Sequence, residues 1–407
     1  MMSVQVVVLD ALAVVPYYVG HLCAALASAG NMRVWPATIT YHHDPECFSH
    51  LGLRPDPGLV NFAWRAPALL RRPAKLAEYL LNLAALLIRF AIRRPDVLHV
   101  QFLPLLRWAC PLERWFLRAV RALGVTIVYT VHNLLPQDTG GRRRETYRRV
   151  YQSAARLVCH DEETARRLAA EFGIPGHRIA VIPHGPLFEE DGAPAPGVVR
   201  ARLGLPSDGC VFLWHGILRP YKGVSFLLRA WREVCARYPH ARLVIAGSGD
   251  PSLARQVIHE TAELDLGGSV RLDLRFLSRR ELSDYFAAAD VLVYPYQEIT
   301  TSGALMTGLV RGKAVVATQL PAFEQMLAGG ENALLVPCGD VSALADALCR
   351  LAASAGLRSR LARNLQAAQA RLPRWDDIAL RTRDCYLDAL AGERRAAQAS
   401  GLVKAER

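Results

Sequence analysis

The sequence has no C-x-x-C pair, and none of its nine cysteines has a histidine partner at metal-ligand spacing, so they read as reduced core thiols and not as a zinc site or disulfide frame. Long apolar runs are also missing. The longest, LAEYLLNLAALLIRFAI at residues 76–92, is interrupted by Glu78 and Arg89 and falls short of the roughly 20 clean apolar residues that cross a bilayer. The opening MMSVQVVVLDALAVV has neither a basic n-region nor a small-residue cleavage site and alternates like a first strand, so the sequence predicts a cytosolic protein. No fixed-period repeat occurs. No D-x-D cluster stands at a strand end where it could hold a divalent metal between phosphates.

What is present is an ordinary globular composition, 52% apolar and 21% charged over 407 residues, which excludes disorder away from the ends. That length exceeds what one core usually supports, so two domains are expected. The net charge of +12 is uneven: residues 51–150 hold 17 Arg/Lys against 6 Asp/Glu, a difference of 11. Such asymmetry points to an anionic partner surface. Arg142, Arg143, Arg144, Arg148 and Arg149 lie in this block without a nucleic-acid motif, which reads as a solvated face and predicts no nucleic-acid partner.

Short β-branched runs alternate with segments of helical period: VQVVVLD, DVLHVQF, VTIVYTVHN, RLVCHD and RIAVIPHG in the first half, then CVFLWHG, ARLVIAGSG, VRLDLRF, DVLVYPY, KAVVAT and NALLVP. Apolar runs of four to seven residues read as parallel strands buried on both faces, and the periodic segments as crossover helices. The fold class is α/β, with two doubly wound, Rossmann-like parallel-sheet domains. The Pro/Gly/acid-rich stretch after VIPHG marks the boundary. The expected organisation is residues 1–190 as a first domain, 191–207 as a linker, 208–372 as a second domain, 373–392 as a closing helix, and 393–407 as a frayed tail.

In HGILRPYKGVSFLLRAW, Arg219 and Lys222 stand in a turn between a strand and a helix, with Gly216 and Gly223 allowing close backbone approach. Two cations there suit a phosphate or pyrophosphate; the alternative is a solvated turn. In VLVYPYQEITTSGALMTGLVRGKAVVAT, Glu298 precedes Ser302 and Gly303, which open a helix whose backbone N–H groups could meet a phosphate. The alternative for Glu298 is a capping acid.

The order G-x5-K-G, IAGSGD, DVLVYPYQE and SGALMTGLVRGKAVVAT resembles the C-terminal half of family 4 retaining glycosyltransferases of GT-B architecture. DVLHVQF, TVHN and VIPHG resemble strand ends of that family's first half, and RWDDIA its returning helix. The resemblance implies two domains facing across a cleft and a nucleotide-diphosphate sugar bound mainly by the second. Arg219, Lys222 and the amides of Ser302 and Gly303 would take the diphosphate, Glu298 the donor sugar, and cations would replace a metal, so no cofactor is expected. Transfer would retain anomeric configuration by same-face attack. His132 would act from the first domain, or be a neutral core histidine, the reading preferred for His99 and His184. Tyr17, Tyr18 and Gly20 would line the acceptor side, or pack.

Two departures accompany the resemblance. The family's second glutamate is absent, leaving Met306 and Thr307 near its position, with Thr307 as a weaker ribose contact. The family's Gly-Arg pair is broken by Ile217, with Arg219 as substitute. The expected activity is extension of a lipid-linked or polysaccharide acceptor by a peripheral protein on an anionic membrane surface. The alternatives are a non-catalytic nucleotide- or glycan-binding subunit, or another GT-B enzyme such as a nucleotide-sugar epimerase or a sugar-phosphate synthase. A sugar-phosphate acceptor would call for cationic pockets in the first domain.

Overall fold

The computed structural model describes residues 3–39, 44, 47–55, 59–67, 69–135, 141–187, 195–299, 302–324, 326–369 and 372–405. The chain divides into two compact units, one of Met1–Gly185 with Pro373–Arg407, the other of Pro186–Leu372.

The first unit holds a parallel sheet of six strands, β1 (Val4–Asp10), β2 (Met32–Thr38), β3 (Val97–Val100), β4 (Thr126–Thr130), β5 (Arg156–Cys159) and β6 (Ile179–Val181), in the order β2-β1-β3-β4-β5-β6. Its helices are α1 (Pro16–Ser28), α2 (Arg71–Ile92), α3 (Leu112–Ala122), α4 (Arg144–Ser153) and α5 (Glu162–Phe172). Period-2 alternation splits the strands between two cores. Val7, Leu9, Leu98, Val100, Ile127, Tyr129 and Leu157 face one way, against Phe116, Tyr151 and Phe172. The other face carries Val6, Val8, His99, Val128, Thr130 and Val158, all buried. Helix α5 shows how local sequence sets the ends: the Asp161 carboxylate accepts from Thr164 N, and Gly173 closes the helix in the left-handed region.

Strand β2 was not among the expected strands, because MRVWPAT carries an arginine and a proline. Pro36 is tolerated because β2 is the edge strand, hydrogen-bonded only to β1, so the missing N–H leaves no ladder bond unmade.

The second unit begins with α6 (Pro196–Arg202), inside the stretch read as a linker; of that stretch, residues 191–194 lie outside the described residues. Val199 is fully buried, and Arg200 is clamped by the carbonyls of Ala288, Ser207 and Gly209 and by Asp290 at 2.7 Å. The helix therefore belongs to the unit's fold. The sheet strands are β7 (Val211–His215), β8 (Arg242–Ala246), β9 (Val270–Asp273), β10 (Val291–Tyr294), β11 (Ala314–Thr318) and β12 (Leu334–Val336), ordered β12-β11-β10-β7-β8-β9. Between them run α7 (Val224–Arg237), α8 (Pro251–Glu263), α9 (Arg279–Ala288), α10 (Gly303–Leu309), α11 (Pro321–Glu324), α12 (Val341–Ala353) and α13 (Ala355–Gln369). Phe212, Trp214, Leu243, Ile245, Val291 and Val293 face Trp231 and Leu348 on one side. Leu213, Val244, Leu292 and Tyr294 face Phe286 and Leu305 on the other.

Helix α14 (Trp375–Ala405) closes the chain within the first unit and packs on α1, β4 and β5. It runs past residue 393, where a frayed tail was expected. The extension is built from helix-forming Ala, Arg and Glu.

Candidate functional site

In each unit the strand order reverses at one point, β1/β3 in the first and β7/β10 in the second, and loops leaving the C-terminal ends of such strands diverge to leave a crevice. Arg219, Lys222, Glu298, Ser302 and Gly303 fall at the second, Tyr17, Tyr18 and Gly20 follow β1 at the first, and His132 stands past the end of the neighbouring β4.

At the second switch point β7 runs into a single 3-10 turn, Pro220–Lys222, and Gly223 starts α7 in the left-handed region at φ 70°. A Cβ on Gly223 would stand 1.8 Å from the Pro295 carbonyl oxygen, so only glycine lets this turn lie against the end of β10. The Gln297 amide donates to Tyr221 O at 2.7 Å and ties the two loops together. Lys222 is 8% exposed, its ammonium 5.5 Å from the Tyr296 ring centroid. Gly216, at φ 129°, is the meeting point: a Cβ there would sit 2.9 Å from Lys222 Nζ and 3.6 Å from Ala304 Cβ. Lys222 and the first turn of α10 thus converge on one bare stretch of backbone. Burial first, then repulsion from Arg219, pushes the Lys222 pKa down to about 8.

Arg219 is placed differently. It is exposed and lines a hollow of about 260 Å³ with Pro220, Arg229, Leu253, Gln256 and Gln297, a lining that does not include Lys222, Glu298 or Ser302. Glu298 is exposed on the loop after β10. Ser302 is buried and caps α10 by accepting from Leu305 N at 3.0 Å, while Gly303 begins that helix. Thr307 is 1% exposed, and its hydroxyl donates back to Gly303 O at 2.8 Å. The hydroxyl is spent inside the helix and turned away from solvent, unlike the ribose contact expected of it.

At the first switch point the side chains are different in kind. The Asp10 carboxylate, fully buried at the end of β1, accepts from Val14 N at 2.9 Å and Val15 N at 2.7 Å, the amides that lead into α1. Burial pushes its pKa up to about 6. Tyr18 is 2% exposed and packs edge-on against His132 and His160, with His184 and Trp375 also in ring contact. Tyr17 is half-buried, its hydroxyl donating to Asp44 at 2.9 Å, and Gly20 is buried where a Cβ would stand 3.0 Å from Leu51 Cδ1.

His132 is half-buried just past the end of β4, one ring nitrogen 3.0 Å from the Gln101 side chain and the other 3.3 Å from His160. His99 lies deeper, held between Tyr386 Oη at 2.6 Å and Thr130 Oγ1 at 2.7 Å, and burial brings its pKa down to about 3. His184 is likewise brought down to about 3 by burial, and His132 is driven well below its ordinary range. Gathered as they are, these rings do not form a ligand set: among the described residues no group of three or more His, Cys, Asp or Glu is placed to hold a metal ion.

Asp10, Gln101 and His160 were not singled out from the sequence. The signal for two of them was present: Gln101 and His160 each lie just beyond a strand end on the face that also carries His99 and Val158, and parallel register brings such residues side by side.

A family model described as "Glycosyl transferases group 1" matches residues 209–354, and one described as "Glycosyltransferase Family 4" matches residues 15–186. A D-inositol 3-phosphate glycosyltransferase of Acidothermus cellulolyticus is 32% identical over 296 residues, covering 67% of this chain and 64% of the relative. The chain thus spans just under two thirds of that relative's length. In structure it is similar to sucrose-phosphate synthase from Thermosynechococcus elongatus, at 21% identity and a TM-score of 0.73, covering 96% of this chain and all of the other. It is also similar to Anabaena HepE in complex with UDP-glucose, at 14% identity and a TM-score of 0.71, covering 95% and 99% of the two chains. Two doubly wound units, matched by these models one to each, make the chain a member of glycosyltransferase family 4 with the GT-B fold.

Proposed function

We propose that the protein transfers a sugar, with retention of configuration and without a metal ion, from a nucleoside-diphosphate sugar to a lipid-linked or polysaccharide acceptor at an anionic membrane surface. The observation that carries the donor half is Lys222, a buried cation over the bare backbone of Gly216 beside the first turn of α10. As the glycosidic bond breaks, negative charge grows on the bridging oxygen of the departing diphosphate. A fixed cation in a water-poor setting stabilises that charge more in the transition state than in the ground state, which lowers the barrier. A bound diphosphate also favours the protonated amine, offsetting the downward pull of burial. Glu298, exposed on the next loop, is assigned to the donor sugar hydroxyls, and His132 with Tyr17 to the acceptor side. The same-face mechanism needs no side-chain nucleophile, because the leaving phosphate oxygen takes the acceptor proton.

The acceptor half rests on α2, which is apolar on its outward face as well as on the buried face of Tyr79, Leu83, Leu86 and Phe90. Glu78 and Asn82, both fully buried, face inward and accept from the amides of Phe62, Ala63 and Val60 at 2.6–2.7 Å. The outward stripe is apolar: Leu76, Leu81, Ile88 and Ile92 are exposed, Ile92 to 83%, with Leu69 at 94% just before the helix. Arg71, Arg72 and Lys75 stand at one end, Arg89, Arg93 and Arg94 at the other. Trp64 and Phe62, on the segment that Glu78 holds, are also exposed. Apolar side chains flanked by cations suit the headgroup boundary of an anionic bilayer, each cation contributing about 1 kcal/mol near the surface. No helix among the described residues is long and apolar enough to cross a membrane. A phosphorylated acceptor, of the kind in the Acidothermus relative's name, is the second reading; the described side chains at the first switch point are neutral rings and a carboxyl, which supports it less.

The test is release of nucleoside diphosphate from a panel of donor sugars in excess EDTA, with anionic or neutral vesicles carrying acceptor lipid. Turnover that survives EDTA, with sedimentation on anionic vesicles at 0.1 M salt and release at 1 M, is expected, since the Debye length falls from about 10 to about 3 Å. Activity abolished by chelation and restored by magnesium or manganese overturns the metal-free reading. Equal partitioning to neutral and anionic vesicles, or none, overturns the membrane acceptor.

A further inference from the structure

His132, His160 and Gln101 form a hydrogen-bonded line whose polarity can be worked out from its anchored end. His160 Nδ1 lies 3.0 Å from the Ile182 carbonyl oxygen, which only accepts, so this nitrogen carries the proton. In a neutral ring His160 Nε2 is then an acceptor. Its partner, His132 Nδ1 at 3.3 Å, must donate. His132 Nε2 is thereby left with a lone pair, and it faces the Gln101 carboxamide.

As placed, that carboxamide turns its oxygen to His132 Nε2 at 3.0 Å, acceptor against acceptor, and leaves its own buried Nε2 without a partner. Turning the amide by half a rotation removes both faults, since the NH2 then donates to His132 Nε2. The two orientations differ only in which atom is called nitrogen. What remains unpaired is an oxygen, and a buried orphan acceptor is better tolerated than a buried orphan donor. The ring plane is fixed independently. Phe102 stacks on His132 with centroids 5.7 Å apart and planes 15° apart, and Tyr18 meets it edge-on at 5.1 Å and 88°.

We propose that His160 and Gln101 are positioning residues that hold His132 as the Nδ1–H tautomer, so that His132 offers a substrate hydroxyl an acceptor at Nε2, with the Gln101 amide as the group that hydroxyl replaces. His132 is then equipped to receive a hydrogen bond from a sugar or acceptor hydroxyl and not to donate one to a phosphate. Gln101 is 1% exposed and His160 7%, whereas His132 is half-buried, so among the three His132 is the one that a ligand can reach. Burial, which disfavours the imidazolium of both histidines, agrees with the neutral line. The use of the hydroxyl rests on the transferase reading; the tautomer does not.

The competing arrangement is a cationic His160 that donates at both nitrogens. It makes His132 Nδ1 the acceptor, puts the proton on Nε2 and keeps the amide as placed. The two are distinguished by two-bond nitrogen–proton spectra of the whole protein labelled with 15N-histidine at neutral pH, with the His132 signals assigned by their loss in His132→Asn. The expected wild-type spectrum has His132 protonated at Nδ1 and bare at Nε2. His160→Gln, whose side chain can still donate to Ile182 O and accept from His132, keeps that pattern. His160→Phe moves the proton to Nε2 and lowers kcat at least tenfold with KM changed less than threefold, and His160→Gln restores most of kcat. A wild-type His132 protonated at Nε2 or at both nitrogens overturns the proposal, as does an unchanged tautomer in His160→Phe. Absence of any turnover in the wild type overturns the transferase reading alone, and the spectra still decide the tautomer.

Discussion

The two switch points are built on the same kind of sheet yet treat an anion in opposite ways. In the second unit the loop after β7 brings in a buried ammonium, Lys222, and leaves the backbone at Gly216 bare. In the first unit the equivalent place, the loop after β1, is already filled by the chain's own carboxylate. Asp10 takes the amides of Val14 and Val15, the groups an incoming phosphate would otherwise use, and Tyr18, in the helix those amides lead into, packs on the rings of His132 and His160. A doubly wound sheet therefore supplies a crevice, while the first few residues after the strand decide its sign. On the proposed reading, the diphosphate goes to the second unit and the hydroxyl chemistry to the first.

The largest effect separates Lys222 from Arg219. Losing an oxyanion-type contact costs roughly a hundredfold in turnover, so Lys222→Ala is expected to lose about that much in steady-state kinetics. Arg219→Ala, at an exposed side chain lining another hollow, is expected to lose less than tenfold. The pH dependence has two signs. With the Lys222 ammonium proposed to hold the diphosphate, kcat/KM is expected to fall as pH rises through about 8. Stability moves the other way. The folded pKa lies below the ordinary 10.5, the folded state binds fewer protons between those values, and unfolding free energy rises from pH 8 to 10.5; Lys222→Met abolishes that rise in denaturant titrations.

A Cβ at Gly216 tests the convergence itself. At 2.9 Å from Lys222 Nζ it must push the amine aside, and its backbone angle is strained for alanine. Gly216→Ala is expected to lose about tenfold or more in turnover, on the scale of a displaced catalytic group.

The first switch point is probed by Asp10. Its folded pKa, raised by burial to about 6, exceeds the ordinary 3.8, so the group's contribution favours the fold at low pH and is lost as pH rises through 6. Asp10→Asn is expected to remove that fall in stability between pH 4 and 6, read by thermal unfolding. It should leave diphosphate affinity unchanged.

The smallest effect belongs to Thr307. With its hydroxyl donated to Gly303 O, Thr307→Ala should change nucleotide affinity by less than about twofold in calorimetric titration, since helix back-bonding contributes little.

Much of the fold was legible because parallel strands buried on both faces read as unbroken apolar runs, as VFLWH and VLVY do. Strand β2 was hidden by Pro36, which only an edge position excuses, and α6 by a Pro- and Gly-rich surround that gave no periodicity. At the site, the turn holding Arg219 and Lys222 was visible, but not which cation is buried. That is settled by the 3-10 turn and the left-handed Gly223, which turn Lys222 inward beneath Tyr296. The pairing of His132 with His160 was signalled only by their like places just past strand ends; the register of β4 against β5, in which Thr130 pairs with Val158, brings them together. Which side of α2 turns outward was hidden for a related reason. Glu78 and Asn82 choose the buried side by their bonds to residues 60–63, and those bonds appear only in three dimensions.

The central claim, that a protein cation and not a metal holds the diphosphate at the second switch point, is tested most directly by thermal unfolding with nucleoside diphosphates in excess EDTA. At 100 times its dissociation constant a ligand stabilises by about 2.7 kcal/mol. The account predicts that shift for at least one nucleoside diphosphate in the wild type with EDTA present, and its loss or marked reduction at the same concentration in Lys222→Ala. An equal shift in both proteins, or a wild-type shift that appears only when a divalent metal is supplied, would contradict it.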